Sequence, residues 1–589
     1  MKKVGYWIAM VLTILPLFAQ GQSDAQKVRP LTPGEQMDKL FDFWNRLDQP
    51  GFAVVVVKEG QVVYQKVFGL ACQEHGVAIT PNSVFNTATL AQPFVGQAIA
   101  MLENQGKLNL DDNVHKFIPE IPDFGTPIQL RHLLFHSSGL RDWLPVLQLT
   151  GRDNEEVTLE KVLRIVKAQK ELIFPPGDRS QYSNTNYDLL AETIRRVTGQ
   201  PFSDWTWENI FKPLKMTRTQ FRDNCRSIFD DQALSYNYTR KEYLRGIDNL
   251  SLTGSHSLFT SISDLAKWLL NLDNGRVGGP EIFAKMFIAG KLNSGQSSAF
   301  GYGLSIETRS GRRLVSQKGD WAGSGVNLVY FPDQKFGFAV LANWDYTPVD
   351  GFSQDIVDIY LPAPAAPPVK VSPSATAKTS VKVNPALLDQ YAGDYRLGLG
   401  QVLTISRTSD QLYLSVPGQK FALAALSETE FLLDIVGARI TFQKDKGGKV
   451  QQFIWKQGGA EQIAPKVVLV KPTPEELKEF AGAYFNEELN LRFGLEVRGA
   501  GLVIIPPERS EVRLAPDEKD HFTSGARMFP MIVFQRDDQN RVTGFIIDND
   551  PVRDLVFKKD WAGTQRPVGG EVPAQLGSFL LAEVNLDNT

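Results

Sequence analysis

The chain has 589 residues, of which 42% are hydrophobic and 22% charged, with a formal net charge of -3. This composition excludes a disordered polymer and points to several globular domains. The near-neutral balance supplies no general field for nucleic acid or anionic lipid, so a partner must be recognised at a discrete site.

The first residues, MKKVGYWIAMVLTILPLFAQGQ, combine Lys2 and Lys3 with an apolar run to Ala19 and small residues near Gly21. This is the pattern of an export signal over residues 1–21. The competing reading, an uncleaved membrane anchor, asks for a longer run, since about 20 apolar residues span a bilayer. No cysteine directly follows the run, which argues against a lipid anchor, and no later run is long enough to cross a membrane. A periplasmic or secreted protein without a membrane span after signal removal is expected. Cys72 and Cys225 are the two cysteines, too few for a disulfide framework or a metal knuckle; one disulfide and two separate thiols both remain open.

Residues 30–360 alternate strand-like stretches, such as GFAVVVVKEGQVVYQKVFG (51–69) and GVNLVYFPDQKFGFAVLAN (325–343), with helical ones, such as TNYDLLAETIRRVTG and ISDLAKWLLNL. A mixed α/β domain follows from that alternation. Residues 361–384 are rich in Pro, Ala, Ser and Thr and form a linker. Beyond it, short alternating runs punctuated by Gly, Asp and Asn predict mostly β structure. LLDQYAGDY (387–395) resembles ELKEFAGAY (476–484), and ITFQKDKGGKVQQFIW (440–455) resembles IVFQRDDQNRVTGFII (532–547). Gly393 and Gly482 are 89 residues apart, and Phe442 and Phe534 are 92 apart. Two tandem modules are therefore expected, at 385–470 and 471–565, each a helical lead-in followed by a small antiparallel barrel, with a tail at 566–589.

Four stretches of the first domain occur in a particular order: GKLNLDDNVHKFIPEIP (106–122), IQLRHLLFHSSGL (128–140), FPPGDRSQYSNTNYDLLAETIRRVTG (174–199) and TSISDLAKWLL (260–270). Together they resemble the serine β-lactamase and penicillin-binding-protein superfamily, in particular its class C-like, D-aminopeptidase-like branch. The trailing β modules resemble the lipocalin-like domains that some exported members carry. The resemblance implies a β-lactamase/transpeptidase-like α/β fold, an antiparallel sheet flanked by helices with a helical subdomain. It implies no cofactor or metal, and no metal-ligand spacing or phosphate-binding glycine loop is found.

Chemistry of that kind needs a serine at the start of a buried helix, a lysine one turn later on the same face, and a tyrosine. A third motif, Lys-Thr-Gly or His-x-Gly, lies in the family on a strand beside the pocket and helps bind the substrate carboxylate and form the oxyanion hole. The resemblance implies that Tyr182, in Tyr182-Ser183-Asn184, is the general base or proton shuttle and that Asn184 contacts the substrate. The other two motifs are altered. FNTATLAQPF (85–94) places Thr89 at the nucleophile position and Gln92 at the lysine position, and no serine in the chain has a lysine three residues later. VSQKGDWAGSG (315–325) places Gln317, Lys318 and Gly319 at the third motif, and none of the six histidines begins a His-x-Gly.

Gln92 cannot take a proton, and the methyl group of Thr89 crowds an attack. Thr89 and Gln92 also fit a capping box, Thr followed three positions later by Gln, with Pro93 in the first turn. On a strand Lys318 faces away from the pocket unless a bulge shifts the register. His136 reads as a structural histidine and Asp111-Asp112 as a turn. These residues describe an exported, catalytically impaired homologue that binds a small peptidoglycan-like or D-amino-acid peptide through Tyr182, Asn184 and the strand at Gly319. Two alternatives stand beside it: an active peptidase or esterase using Thr89 with Tyr182, and a scaffold working through its barrels.

Overall fold

A computed structural model of the chain describes residues 29–361 and 381–560, apart from positions 240, 346, 382, 399–400, 417–418, 458–459, 500, 508, 527 and 549–554. The expected export signal, most of the linker and the C-terminal tail lie outside the described residues. The fold is the expected β-lactamase/transpeptidase-like domain, followed by two closed antiparallel barrels.

The first domain is organised around a six-stranded antiparallel sheet. Its strands are β1 (Phe52–Lys58), β2 (Gln61–Phe68), β3 (Ser305–Arg309), β4 (Arg312–Trp321), β5 (Ser324–Phe331) and β6 (Phe336–Ala342). They lie in the order β3-β4-β5-β6-β1-β2, so the N-terminal hairpin completes a sheet made otherwise from the end of the domain. The main helices of the domain are α1 (Pro33–Phe41), α2 (Gln92–Asn104), α3 (Trp143–Thr150), α4 (Asn184–Thr198), α5 (Ile262–Asn274) and α6 (Phe352–Tyr360). Both faces of the sheet are covered, which is why β1 reads FAVVVVK with no polar alternation. Phe52, Val54 and Val56 pack with Met37 and Phe41 of α1 and Phe352 and Ile356 of α6. Ala53, Val55 and Val57 share the opposite core with Phe94 of α2 and Trp268 of α5. Helix α2 is buried nearly all round, so its amphipathic period is weak, and it carries the site into the centre of the domain.

The first barrel closes eight strands between Gly393 and Val467, and the second closes eight between Gly482 and Lys559. A short helix precedes each, at Pro385–Tyr391 and at Pro474–Leu477. The repeat extends to details. The Tyr395 hydroxyl donates to the Tyr391 carbonyl at 2.7 Å, as that of Tyr484 does to Phe480 at 2.8 Å. Gly393 and Gly482 both have φ near +140°, and a Cβ at either would meet the side chain of Lys466 or Lys559, which explains a glycine in both copies.

The second barrel docks on the helical subdomain. Val146 and Leu149 of α3 join its core, and Arg141 Nε donates to Glu488 Oε1 at 2.9 Å with both side chains nearly buried. Arg509 pairs with Asp153 at the same contact. The two barrels meet where Arg396 binds Asp517 and Glu518. Cys72 and Cys225 are both free thiols. Among the described residues no helix is long and apolar enough to cross a membrane, and no group of three or more His, Cys, Asp and Glu side chains is placed to hold a metal ion.

Candidate functional site

The site forms where the N-terminus of α2, strand β4 and the segment before α4 converge. A single 3-10 turn, Ala88–Ala91, leads into α2, and Ala88 enters it with φ +47°. A left-handed conformation at a buried alanine costs about 1–3 kcal/mol and persists only where the surroundings enforce it. Here β4 does so: a Cβ on Gly319 would overlap Thr89 Oγ1 and lie 2.8 Å from the Thr89 amide nitrogen. Only glycine lets the strand come this close.

Thr89 is 9% exposed and donates its hydroxyl to the Lys318 carbonyl at 2.9 Å. From the next position, Gln317 Nε2 donates to the Thr89 carbonyl at 2.9 Å. The capping box expected from Thr89 and Gln92 is therefore corrected. The N-cap of α2 is Ala91, with no side-chain cap, because both candidate capping side chains are engaged across the site instead. Lys318 points outward to an ion pair with Asp350, as strand alternation requires, so its ammonium does not replace the missing lysine.

Gln92 is buried and its Nε2 donates to the Tyr182 phenol oxygen at 2.6 Å. Tyr182 in turn donates to Asn184 Oδ1 at 3.0 Å, and Asn184 Nδ2 donates to Asp142 Oδ2 at 2.9 Å. The carboxylate can only accept, so it fixes the direction of every bond in this chain. Asn184, expected to contact a ligand, thus spends both ends of its amide inside the protein. Burial pushes the Tyr182 phenol well above its ordinary range, the nearby Asp142 charge adds to this, and the hydrogen bond from Gln92 offsets only part of it. Tyr182 is a protonated phenol whose proton is committed to Asn184.

Asp142 was not among the residues singled out from the sequence. As the N-cap of α3 it accepts from Leu144 N at 3.0 Å, and it also receives the Asn184 backbone amide at 3.2 Å. Burial pushes its carboxyl up to about 6, and the hydrogen bonds from Leu144 and Asn184 act against that rise. An Asp before an apolar helical run signals a cap, but nothing local signals its second duty at α4, 42 residues away. His136 lies behind Tyr182, with ring centroids 4.7 Å apart, and accepts from Ser183 N at 3.2 Å. It is fully enclosed, with burial pushing its imidazole down to about 3. The Asp111 and Asp112 pair lies away from the site: Asp112 accepts from Asn109 N, and Asp111 pairs with Arg131.

A hydroxyl just before a buried helix, a tyrosine two residues before an asparagine, and a glycine strand packed against that hydroxyl are brought together here. The family model described as Beta-lactamase matches residues 38–360. The chain belongs to the beta-lactamase family. A second model, a domain of unknown function (DUF3471), matches residues 377–467, which include the first barrel. Among relatives, penicillin-binding protein 4* of Bacillus subtilis strain 168 is 25% identical over 449 residues, 73% of this chain and 98% of that protein. Protein flp of Staphylococcus aureus strain N315 is 28% identical over 52% of this chain and 63% of its own length. A D-aminopeptidase of Gluconobacter oxydans strain 621H is 25% identical over 51% of this chain and 56% of its own length. The chain thus spans less than two thirds of the latter two relatives. The octameric penicillin-binding protein homologue from Pyrococcus abyssi superposes with a TM-score of 0.52 over 73% of this chain and 99% of that one, at 23% identity, which shows a shared fold.

Proposed function

We propose that this beta-lactamase-family protein is an exported, catalytically impaired homologue whose site binds a peptidoglycan-like or D-amino-acid peptide without turning it over at enzyme rates. The observation that carries this reading is the direction of the Thr89 hydroxyl. Its proton is held by the Lys318 carbonyl, which is no base at any working pH, and both neighbours that could relay a proton are neutral amide or protonated phenol. Attack by Thr89 would leave its proton with no acceptor. In serine hydrolases the loss of a single member of the catalytic constellation costs as much as about 10⁶ in turnover.

The ligand class is drawn from the company the chain keeps, a penicillin-binding protein and a D-aminopeptidase by name. Export is drawn from the basic and apolar start of the chain. Intact-protein mass spectrometry after incubation with a fluorophosphonate probe and, separately, a penicillin tests the reading, with a Thr89→Ser, Gln92→Lys double variant alongside. Labelling of the double variant alone supports it. Labelling of the natural protein at Thr89 replaces it with an active hydrolase.

A further inference from the structure

The two barrels are copies in strand order and register but not in filling. In the second, Tyr484 lies opposite Phe493, and Phe545 opposite Phe557. The same ladder positions in the first pair Tyr395 with Leu403, and Phe453 with Ala464. Phe493 and Phe557 stack with centroids 4.8 Å apart, and Phe557 stacks on Phe545 at 4.9 Å. The connection between the fifth and sixth strands adds a third ring to the second barrel: Phe529, fully buried, with its centroid 5.5 Å from that of Phe493. In the first barrel the corresponding connection is the turn Asp434–Val436, whose Ile435 is 68% exposed at the rim.

Leu403, which stands where the second barrel has Phe493, and Ile435, in the connection where it has Phe529, both border an open space in the first. The first barrel holds a cavity of about 530 Å³, walled by Leu403, Leu414, Leu433, Phe421 and Trp455 and open at the end away from its lead-in helix. That other end is plugged, with Tyr391 stacked on Phe442 at 4.2 Å and the Tyr395 ring beside Phe453. Protein interiors pack to crystal density, and unfilled apolar volume is destabilising unless something occupies it. The volume equals that of more than a dozen water molecules at about 30 Å³ each, but an apolar wall offers them few partners. Size and lining are those of a small-molecule site.

We propose that the first barrel is a binding site for an uncharged amphiphile, with an alkyl or small aromatic body in the cavity and a neutral hydrogen-bonding head at its mouth. The head group follows from the rim. Among the described residues no charged side chain lines the cavity, so a charged group drawn into it would be desolvated without a partner. Gln419, Gln457 and Gln462 stand around the opening, with the Trp455 indole donating to Gln457 at 3.2 Å and Gln457 donating to the Val436 carbonyl at 3.0 Å. Amides of this kind match a hydroxyl, ester or amide head. The site is separate from the Thr89 pocket and does not depend on whether that pocket hydrolyses anything.

The test uses the full-length protein and the uncharged fluorophore N-phenyl-1-naphthylamine, displaced by decanol or by decanoate at a pH where the latter is ionised. Saturable binding at one site is expected, with decanol displacing at least about tenfold better than decanoate. A Leu403→Phe, Leu414→Phe variant, which narrows the cavity from two of its own walls, should lose at least about tenfold in affinity, and Thr89→Ala should bind as the natural protein does. If circular dichroism shows the filled variant misfolded, Val416→Glu at the half-buried mouth takes its place with the same expected loss. Absence of saturable binding, binding that neither variant weakens, or preference for decanoate would each overturn the proposal.

Discussion

Gln92 Nε2 donates to the Tyr182 phenol oxygen at 2.6 Å, from the helix position where a lysine is expected in this family. An ammonium there would also donate to the phenol, but it would add a charge that favours the phenolate. The amide keeps the geometry and removes the charge. Gln92→Leu should lower the unfolding free energy by about 1–3 kcal/mol, because it leaves a buried phenol oxygen without its donor. Equilibrium urea unfolding of the two proteins measures this, and an unchanged midpoint would show that the bond contributes nothing.

The Thr89 hydroxyl bonds across the site and not along its own helix, so its removal should cost one ordinary hydrogen bond. Thr89→Ala is expected to lose about 1 kcal/mol, while Thr89→Ser, which keeps the donor to the Lys318 carbonyl, should lose markedly less. Thermal denaturation distinguishes the two, and equal losses would assign the effect to the methyl group.

Gly319 is confined by contact. Gly319→Ala places a methyl group against Thr89 and should cost about 1–3 kcal/mol through overpacking. The same change made on top of Thr89→Gly should cost less, though not nothing, since the Thr89 amide nitrogen remains 2.8 Å from the new carbon. A double-mutant cycle reads the coupling, and strict additivity would place the strain elsewhere.

Glu488 ties the second barrel to the residue beside Asp142. Glu488 accepts from the nearly buried Arg141, and a hydrogen bond to a charged group contributes about 1.5–3 kcal/mol. Glu488→Ala should therefore weaken the docking of the barrel, visible in calorimetry as a split or broadened transition where the natural protein shows coupled unfolding. A single transition of unchanged width would mean that Val146 and Leu149 hold the contact by themselves.

His136 gives the site a dependence on acid. Its imidazole is pushed down to about 3 in the fold by burial, and it titrates near about 6.5 in the unfolded chain. The unfolded state binds the proton first, so this group costs nothing above about pH 6.5. As pH falls below that, stability is lost at up to about 1.4 kcal/mol per pH unit, until the folded-state value is reached. His136→Asn cannot titrate, so any stability advantage of the natural protein over this variant should shrink with that slope as pH is lowered. A pH-independent difference would exclude the histidine as the source.

The architecture was legible in the residues alone. The ordered motifs of the first domain carry a family resemblance, while the β-rich repeat of the second half and the apolar run Phe52–Val57 of β1 reflect a composition that local physics imposes, and the fold agrees with them. The sequence also shows, without coordinates, that no serine is followed three positions later by a lysine. Where the side chains of the site point depends instead on contacts made across the fold. Thr89 and Gln92 satisfy the spacing of a helix cap, yet β4 and Tyr182 offer partners that a one-dimensional reading cannot place. Asp142 lies 42 residues before Asn184 and meets it only because two helix N-termini converge. The barrels show the same division. Their repeat is written in Gly393 and Gly482, but that one is filled and the other open depends on three rings meeting in space, since packing is a sum over neighbours that sequence distance does not reveal.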